Sequence, residues 1–335
     1  MSNNDTVVFP EPKSVAIEQF EIPEPDSGEV LVETSRSLIS TGTELTLLTN
    51  DVPEGSVWDS ISHFPVRGPG YCNIGEIVEV GAGVDEERIG TRVAVWEPHQ
   101  RYTVVGKDDY HVVPDGVSDE EATFFGIAQI VMNGVRKGAV SWGESVGVYG
   151  LGLLGQLTVQ FAHAAGARPV VGLDISIDRL GYLPDQPGIM GVNPSDEDVV
   201  GRLDEANHGR LVDTVLEVTG SPNAIPGEFE ILREQGRLVV LSSPDGKTEF
   251  DFHDLCNRGS YHIVGAHVYS HPDRATPDNQ WSKNRHAELF FEYLAEGTVD
   301  VESLITHRKS YDEAPDAYEM LLNDRSQAMG VVLEW

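Results

Sequence analysis

Residues 144–180 read ESVGVYGLGLLGQLTVQFAHAAGARPVVGLDISIDRL. An apolar run over 146–149 meets Gly150-Leu151-Gly152-Leu153-Leu154-Gly155. The pattern predicts a helix over 156–165, a stop at Gly166, and a second apolar run over 169–173 that ends at Asp174. Strand, glycine turn, helix, strand and acid follow one another in the order that holds a dinucleotide. Gly150 permits the tight turn, Gly152 lets backbone N–H groups approach a pyrophosphate, and Gly155 lets helix and strand pack closely. The helix N-terminus offers phosphate its N–H donors and the positive end of its dipole. Asp174, about twenty residues past the glycines, suits the hydroxyls of an adenosine ribose. Its charge also repels a 2′-phosphate, so NAD(H) is expected in preference to NADP(H). Arg179 could pair with such a phosphate, which keeps NADP(H) open.

Downstream, the spacing predicts a helix over 196–207, a strand over 212–218 closed by Thr219-Gly220, a helix over 223–232, and strands over 236–242 and 261–266. Strands alternating with helices predict a doubly wound parallel sheet. Residues 180–190 carry Pro184 and Pro187 where a helix would stand, and should cut it short. Upstream, short β-rich runs over 6–9, 14–19, 29–35, 75–80, 92–95 and 110–113 are punctuated by Pro and Gly, the pattern of a compact barrel. Ser118-Asp119-Glu120-Glu121 is a capping-box start for a helix reaching about 136. Helices over 281–297 and 312–322 and a strand over 330–335 should return to the barrel edge. These readings divide the chain into a barrel over 1–117, a nucleotide domain over 118–270 and a return over 271–335.

The 335 residues suffice for two cores. The net charge of −32, from 55 acids against 23 bases of which only six are lysine, describes a surface that repels itself in dilute buffer. It reads as adaptation to a salty cytoplasm and disfavours nucleic acid and anionic membrane as partners. Two cysteines, Cys72 and Cys256, provide neither a disulfide framework nor a four-cysteine zinc lobe. No secretory signal and no apolar run long enough to span a membrane are expected.

Several phrases together carry a family resemblance: Gly28-Glu29-Val30-Leu31-Val32, Gly75-Glu76-Ile77-Val78-Glu79-Val80-Gly81, Gly90-Thr91-Arg92-Val93-Ala94-Val95, the GLGLLG turn, and Glu217-Val218-Thr219-Gly220. Over nearly its whole length the chain resembles the zinc-type alcohol dehydrogenases, or medium-chain dehydrogenases/reductases. Ile39-Ser40-Thr41-Gly42-Thr43-Glu44 and Gly70-Tyr71-Cys72-Asn73-Ile74-Gly75 resemble the branch near bacteriochlorophyllide dehydrogenases, which often shows a Pro-His pair where this chain has Pro98-His99. The resemblance implies a GroES-like β-barrel catalytic domain beside a Rossmann domain, and hydride transfer between a nicotinamide and a small alcohol or carbonyl substrate. It also implies a homodimer or homotetramer, with residues 261–269 as a candidate pairing edge. On the cofactor side it adds Thr219, Ser242 and Ala266 to the residues of the glycine turn, Asp174 and Arg179.

At the zinc positions the chain departs from the family. Thr41 stands at the first ligand position, Tyr71 at the second and Gly126 at the third, a set without thiolate, imidazole or carboxylate. Zinc is therefore not expected, and a rearranged site would have to use Cys72, His99 or Glu44. Some other group must then serve the substrate oxygen. The resemblance makes Thr43 a proton relay and places His99 in the substrate pocket, and Glu44 matches an acid behind the metal. Tyr71 could donate its phenolic hydrogen, and His99 could act as a general acid. Each has a plainer reading: a turn threonine, a packed aromatic, a structural histidine, a salt-bridged acid. Two rival functions remain at this stage: a zinc-free quinone or enoyl reductase, and a dinucleotide-binding protein without catalysis.

Overall fold

The structure, a computed structural model, describes residues 3–326 and 328–335. The chain forms two compact units, one of Met1–Ile127 with Ala287–Trp335 and one of Ala128–His286.

The second unit is built on a six-stranded parallel sheet. Across it lie Ile189–Val192, Val170–Leu173, Val146–Tyr149, Val212–Glu217, Leu232–Val240 and His262–Gly265. Counted along the chain this is the order 3-2-1-4-5-6 of a doubly wound dinucleotide fold. Alternate residues feed opposite faces of the sheet. Val146, Val148, Val170, Leu216 and Val239 enter one core, and Val171, Leu173, Val215 and Leu238 enter the other. Both faces are covered, which is why these strands read as unbroken apolar runs. The helix Leu153–Ala164 lies on the first face through Val159 and Ala162. After the single turn Ile177–Leu180 no helix forms before Ile189, as the two prolines require.

The first unit is a barrel-like sheet with a three-stranded partner. The larger sheet runs Ile305–Ser310, Gly330–Glu334, Glu29–Leu38, Asn73–Val80, Arg92–Val95, His111–Val112, with Tyr102–Gly106 also on Glu29–Leu38. The smaller runs Ala16–Phe20, Asn4–Phe9, Val66–Arg67. Val30, Val32, Ile77, Val93, Val95 and Val105 fill the barrel interior. The expected return of the last segment is present: Gly330–Glu334 pairs antiparallel with Glu29–Leu38 and parallel with Ile305–Ser310.

The boundaries fall near 127 and 286 rather than at 117 and 270. Asp119 accepts a hydrogen bond from Ser35 and pairs with Arg92, and Phe125 packs against Trp96, so the start of this helical region belongs with the barrel. At the other end, the His286–His271 hydrogen bond and the bond from Gln129 to the Lys283 carbonyl tie residues 271–286 to the nucleotide unit. The capping box at Ser118 forms as read, with Glu121. The helix expected over 223–232 is only Ile225–Glu228 and a 3-10 turn, Phe229–Ile231, because the strand already begins at Leu232.

Candidate active site

The glycine turn is shaped as its spacing implies. Gly150 has φ +91°, and a β-carbon there would stand 2.9 Å from the Thr219 backbone. A β-carbon on Gly155 would collide with the Gly150 carbonyl oxygen at 1.8 Å, whereas one on Gly152 would meet nothing within 4 Å. The first and third glycines therefore serve the fold, and the second keeps space open in front of the helix. Gly152 is the N-cap of Leu153–Ala164. Helix geometry leaves the N–H groups of Leu153, Leu154 and Gly155 without an intrahelical acceptor, a ready phosphate cradle.

Asp174 closes the second strand and is 6% exposed. Its Oδ2 accepts the Leu151 N–H at 2.7 Å and its Oδ1 the Ser176 N–H at 2.8 Å. Arg179 Nη1 lies 3.6 Å from Oδ2. The acid thus braces the glycine turn from the end of the second strand. The residues fit a nicotinamide dinucleotide: an open glycine face, free helix N–H groups and a fixed carboxylate.

At the ends of the fourth and fifth strands, Thr219 and Ser242 are gathered by Glu217. One oxygen of this fully buried carboxylate accepts the Thr219 N–H and O–H, each at 2.7 Å, and the Gly220 N–H at 3.1 Å. The other accepts from the Ser242 hydroxyl. Glu217 holds both loops, a role its place in the sequence phrase did not disclose. Ala266 is buried with its N–H already given to Val240, so of its backbone groups only the carbonyl could meet a carboxamide.

In the barrel unit a second polar cluster centres on Tyr71. Its ring stacks on Trp96, with centroids 4.9 Å apart and planes 10° from parallel. Its hydroxyl lies 2.6 Å from Ser40 Oγ and is also hydrogen-bonded to Thr43. Burial, then the neighbouring Cys72 and Glu44, push the phenol's pKa up, against the pull of the two hydroxyls. Tyr71 therefore keeps its proton at neutral pH and can donate it. Thr43 is half-buried beside it. Glu44 and His99, by contrast, are 0% exposed and bonded to each other at 3.1 Å. Ser37, His99 and Glu44 line up as serine, histidine and acid, but all three are fully buried, which denies a substrate any approach to the serine. Both ring nitrogens of His99 are engaged, so the expectation of a substrate-facing general acid at 99 does not match its surroundings.

A family model described as "Zinc-binding dehydrogenase" matches residues 154–283. L-Threonine 3-dehydrogenase of Pyrococcus furiosus is 27% identical over 338 residues, covering 90% of each chain. Sorbitol dehydrogenase of Bacillus subtilis is 23% identical over 99% of this chain and 97% of its own. Among solved structures, that of a "short chain alcohol dehydrogenase" from Escherichia coli CFT073 complexed with NADH superposes with a TM-score of 0.82 at 20% identity, covering both chains completely. Residues 154–283 thus match a zinc-binding dehydrogenase domain, and over most of its length the chain is similar to dehydrogenases of the zinc-type, medium-chain superfamily. It is an oxidoreductase.

Thr41, Tyr71 and Gly126, which the resemblance sets at the zinc-ligand positions, offer no thiolate, imidazole or carboxylate. Beyond Thr41 and Tyr71, the third position is closed: a β-carbon on Gly126 would stand 2.6 Å from Cys72 Sγ and 3.4 and 3.5 Å from Tyr71 and Trp96. The space of a third ligand is taken up by the thiol and the stacked rings. The Cys72 thiol is buried, its pKa is pushed up by that burial, and its sulfur accepts from the backbone of Gly126 and Ile127. Among the described residues no group of three His, Cys, Asp or Glu side chains is arranged to hold a metal ion. These donors do not fit the zinc of the superfamily. The sequence reading found Thr43, Glu44, Tyr71 and His99 but missed Ser40, Ser37 and Tyr318, which complete the cluster. Only the quoted phrase around Ser40 hinted at one of them.

Proposed function

We propose that this protein is an NAD(H)-preferring, zinc-independent oxidoreductase that interconverts a small alcohol and its carbonyl, with Tyr71 serving the substrate oxygen. The observation that carries the reading is the Tyr71 phenol itself. It is held by a stacked tryptophan and flanked by the hydroxyls of Ser40 and Thr43, where the resemblance sets a metal ligand. Bound nicotinamide supplies or accepts the hydride. In the reducing direction Tyr71 donates its hydrogen bond to the carbonyl oxygen, then its proton as the more basic alkoxide develops. Ser40 and Thr43 stabilise the resulting phenolate by hydrogen bonding, and Thr43, half-buried, passes a proton from solvent back to Tyr71. In the oxidising direction the same steps run in reverse. Asp174 supports the choice of NAD(H), through its charge and its fixed orientation at the ribose position.

The test uses protein purified without added zinc and dialysed against a chelator, assayed for NADH oxidation with butanal, benzaldehyde, cyclohexanone and diacetyl. Turnover should survive chelation, and Tyr71→Phe should lower kcat by about 100-fold while NADH binds as before. One zinc per chain with activity lost on its removal would overturn the reading, as would no turnover of any compound in the panel.

A further inference from the structure

Glu44 does more than an acid at the start of a helix needs to do. It lies in the first turn of Thr41–Thr49 and reaches back to the N-cap, where its Oε1 accepts the Ser40 N–H at 2.6 Å. An acid in that role ordinarily turns its other oxygen to water. Here Oε2 is sealed from solvent and accepts the Tyr318 hydroxyl and His99 Nε2 from two distant elements. Tyr318 comes from the helix Ala314–Asn323, far along the sequence.

One arrangement of hydrogens gives every oxygen of this network a donor. The Trp335 indole N–H, which can only donate, gives its hydrogen to Ser37 Oγ at 2.8 Å. With one Ser37 lone pair so occupied, the Ser37 hydroxyl can give its own hydrogen to His99 Nδ1 at 2.8 Å, the arrangement in which Nε2 carries the ring hydrogen that faces Glu44. Nε2 donates to Glu44, as does Tyr318. Three donors thus serve one buried carboxylate, the condition under which a charge can be held away from water. The beneficiary is Ser40. Its backbone is fixed by Glu44, and its Oγ meets the Tyr71 hydroxyl.

We propose that Tyr318 and His99 are positioning residues: they fix Glu44, Glu44 fixes Ser40, and Ser40 aims the Tyr71 hydroxyl. This rests on the reading of Tyr71 as donor to the substrate oxygen. Tyr318 touches no substrate in this scheme and acts through two other residues.

Tyr318→Phe is the test, because the ring that packs edge-on against Phe9 stays and only the hydroxyl goes. The protein is labelled with 13Cζ-tyrosine, and the Tyr71 resonance is identified as the one lost in Tyr71→Phe. Kinetics use NADH with the panel compound turned over fastest. Tyr318→Phe should move the Tyr71 resonance and lower kcat about tenfold, with KM and NADH affinity within about twofold of wild type. The double variant Tyr71→Phe/Tyr318→Phe should be no slower than Tyr71→Phe, since both changes act on one hydroxyl. Glu44→Gln should move the same resonance and stands in if Tyr318→Phe does not fold. A large loss in Tyr71→Phe beside wild-type kinetics and an unmoved Tyr71 resonance in Tyr318→Phe would overturn this inference alone. Full turnover by Tyr71→Phe would overturn the reading of Tyr71 and this inference with it.

Discussion

A β-carbon on Gly155 would stand 1.8 Å from the carbonyl oxygen of Gly150, inside any allowed contact, while one on Gly152 three residues earlier would meet nothing within 4 Å. One motif therefore holds a glycine required for packing and a glycine that packing does not require, which the proposed reading gives to the cofactor. Gly155→Ala must push helix from strand at a cost of about 1–3 kcal/mol, and a domain of 150–250 residues loses roughly 2–4 °C of Tm per kcal/mol. Gly152→Ala should cost no more than about 1 kcal/mol at an N-cap, or roughly 2–4 °C of Tm, yet weaken NADH binding at least about tenfold by filling the phosphate approach. Thermal unfolding and NADH fluorescence titration of the two variants check this. Equal effects on both measurements would show that the distinction is false.

Glu228 gives a second prediction. It is 0% exposed, and neither carboxyl oxygen has a hydrogen-bond partner. Burial, then the carboxylate of Glu217, pushes its pKa up to about 9 from an ordinary 4.5. The folded protein holds this proton where the unfolded chain has released it. The group's contribution to stability is complete below about pH 4.5, falls through the interval, and is lost as pH rises through about 9. One extra bound proton in the folded state sets a limiting slope of about 1.4 kcal/mol per pH unit. Glu228→Gln cannot ionise and should be the more stable protein at pH 8, with the difference closing toward pH 5. Denaturant unfolding of both proteins across that range measures it, and a difference independent of pH would refute it.

The nucleotide unit was legible because its signals are local: glycines and an acid at fixed spacing, with apolar runs on either side. The polar cluster was only half legible. Thr43, Glu44, Tyr71 and His99 could be singled out one by one, but their connections depend on Tyr318 and Ser37, which carry no local mark of function. The helix Thr41–Thr49 was missed because Thr-Gly-Thr is a poor helix start. It forms because Leu45 and Leu48 pack into a core with Tyr318 and Leu321, and because Glu44 caps Ser40. Tyr102–Gly106 was missed because a strand of five residues is recognised more by its partner, Glu29–Leu38, than by its composition. Glu228 gave no signal at all, since an acid within a helical pattern reads as a solvent-facing residue.

Charge makes the third prediction. A net −32 on 335 residues repels itself over about 10 Å at 0.1 M salt and about 3 Å at 1 M. If the surface is adapted to salt, the melting temperature should rise by roughly 10 °C between 0.1 and 2 M KCl, with most of the gain reached once screening is complete. Scanning calorimetry across that range tests it. A midpoint that does not move with salt would return the composition to ordinary acidity.

In the proposed reading cofactor choice turns on Asp174 and Arg179, which stand 3.6 Å apart and carry opposite charges. The carboxylate favours a ribose bearing two hydroxyls and repels a 2′-phosphate, whereas the guanidinium would attract the phosphate. Asp174 has the stronger hold, because two backbone N–H groups fix its oxygens and one of them belongs to the glycine turn. NADH should therefore bind more tightly than NADPH. Asp174→Ala removes at least one hydrogen bond to a charged group, worth about 1.5–3 kcal/mol, so NADH affinity should fall by about 10- to 100-fold or more. NADPH should lose less or gain, since the repulsion goes with the carboxylate. Arg179→Ala should do the reverse, weakening NADPH and leaving NADH nearly untouched. Titrating both cofactors against the three proteins gives six affinities. Tighter binding of NADPH by the unaltered chain would assign the ribose position to Arg179 instead.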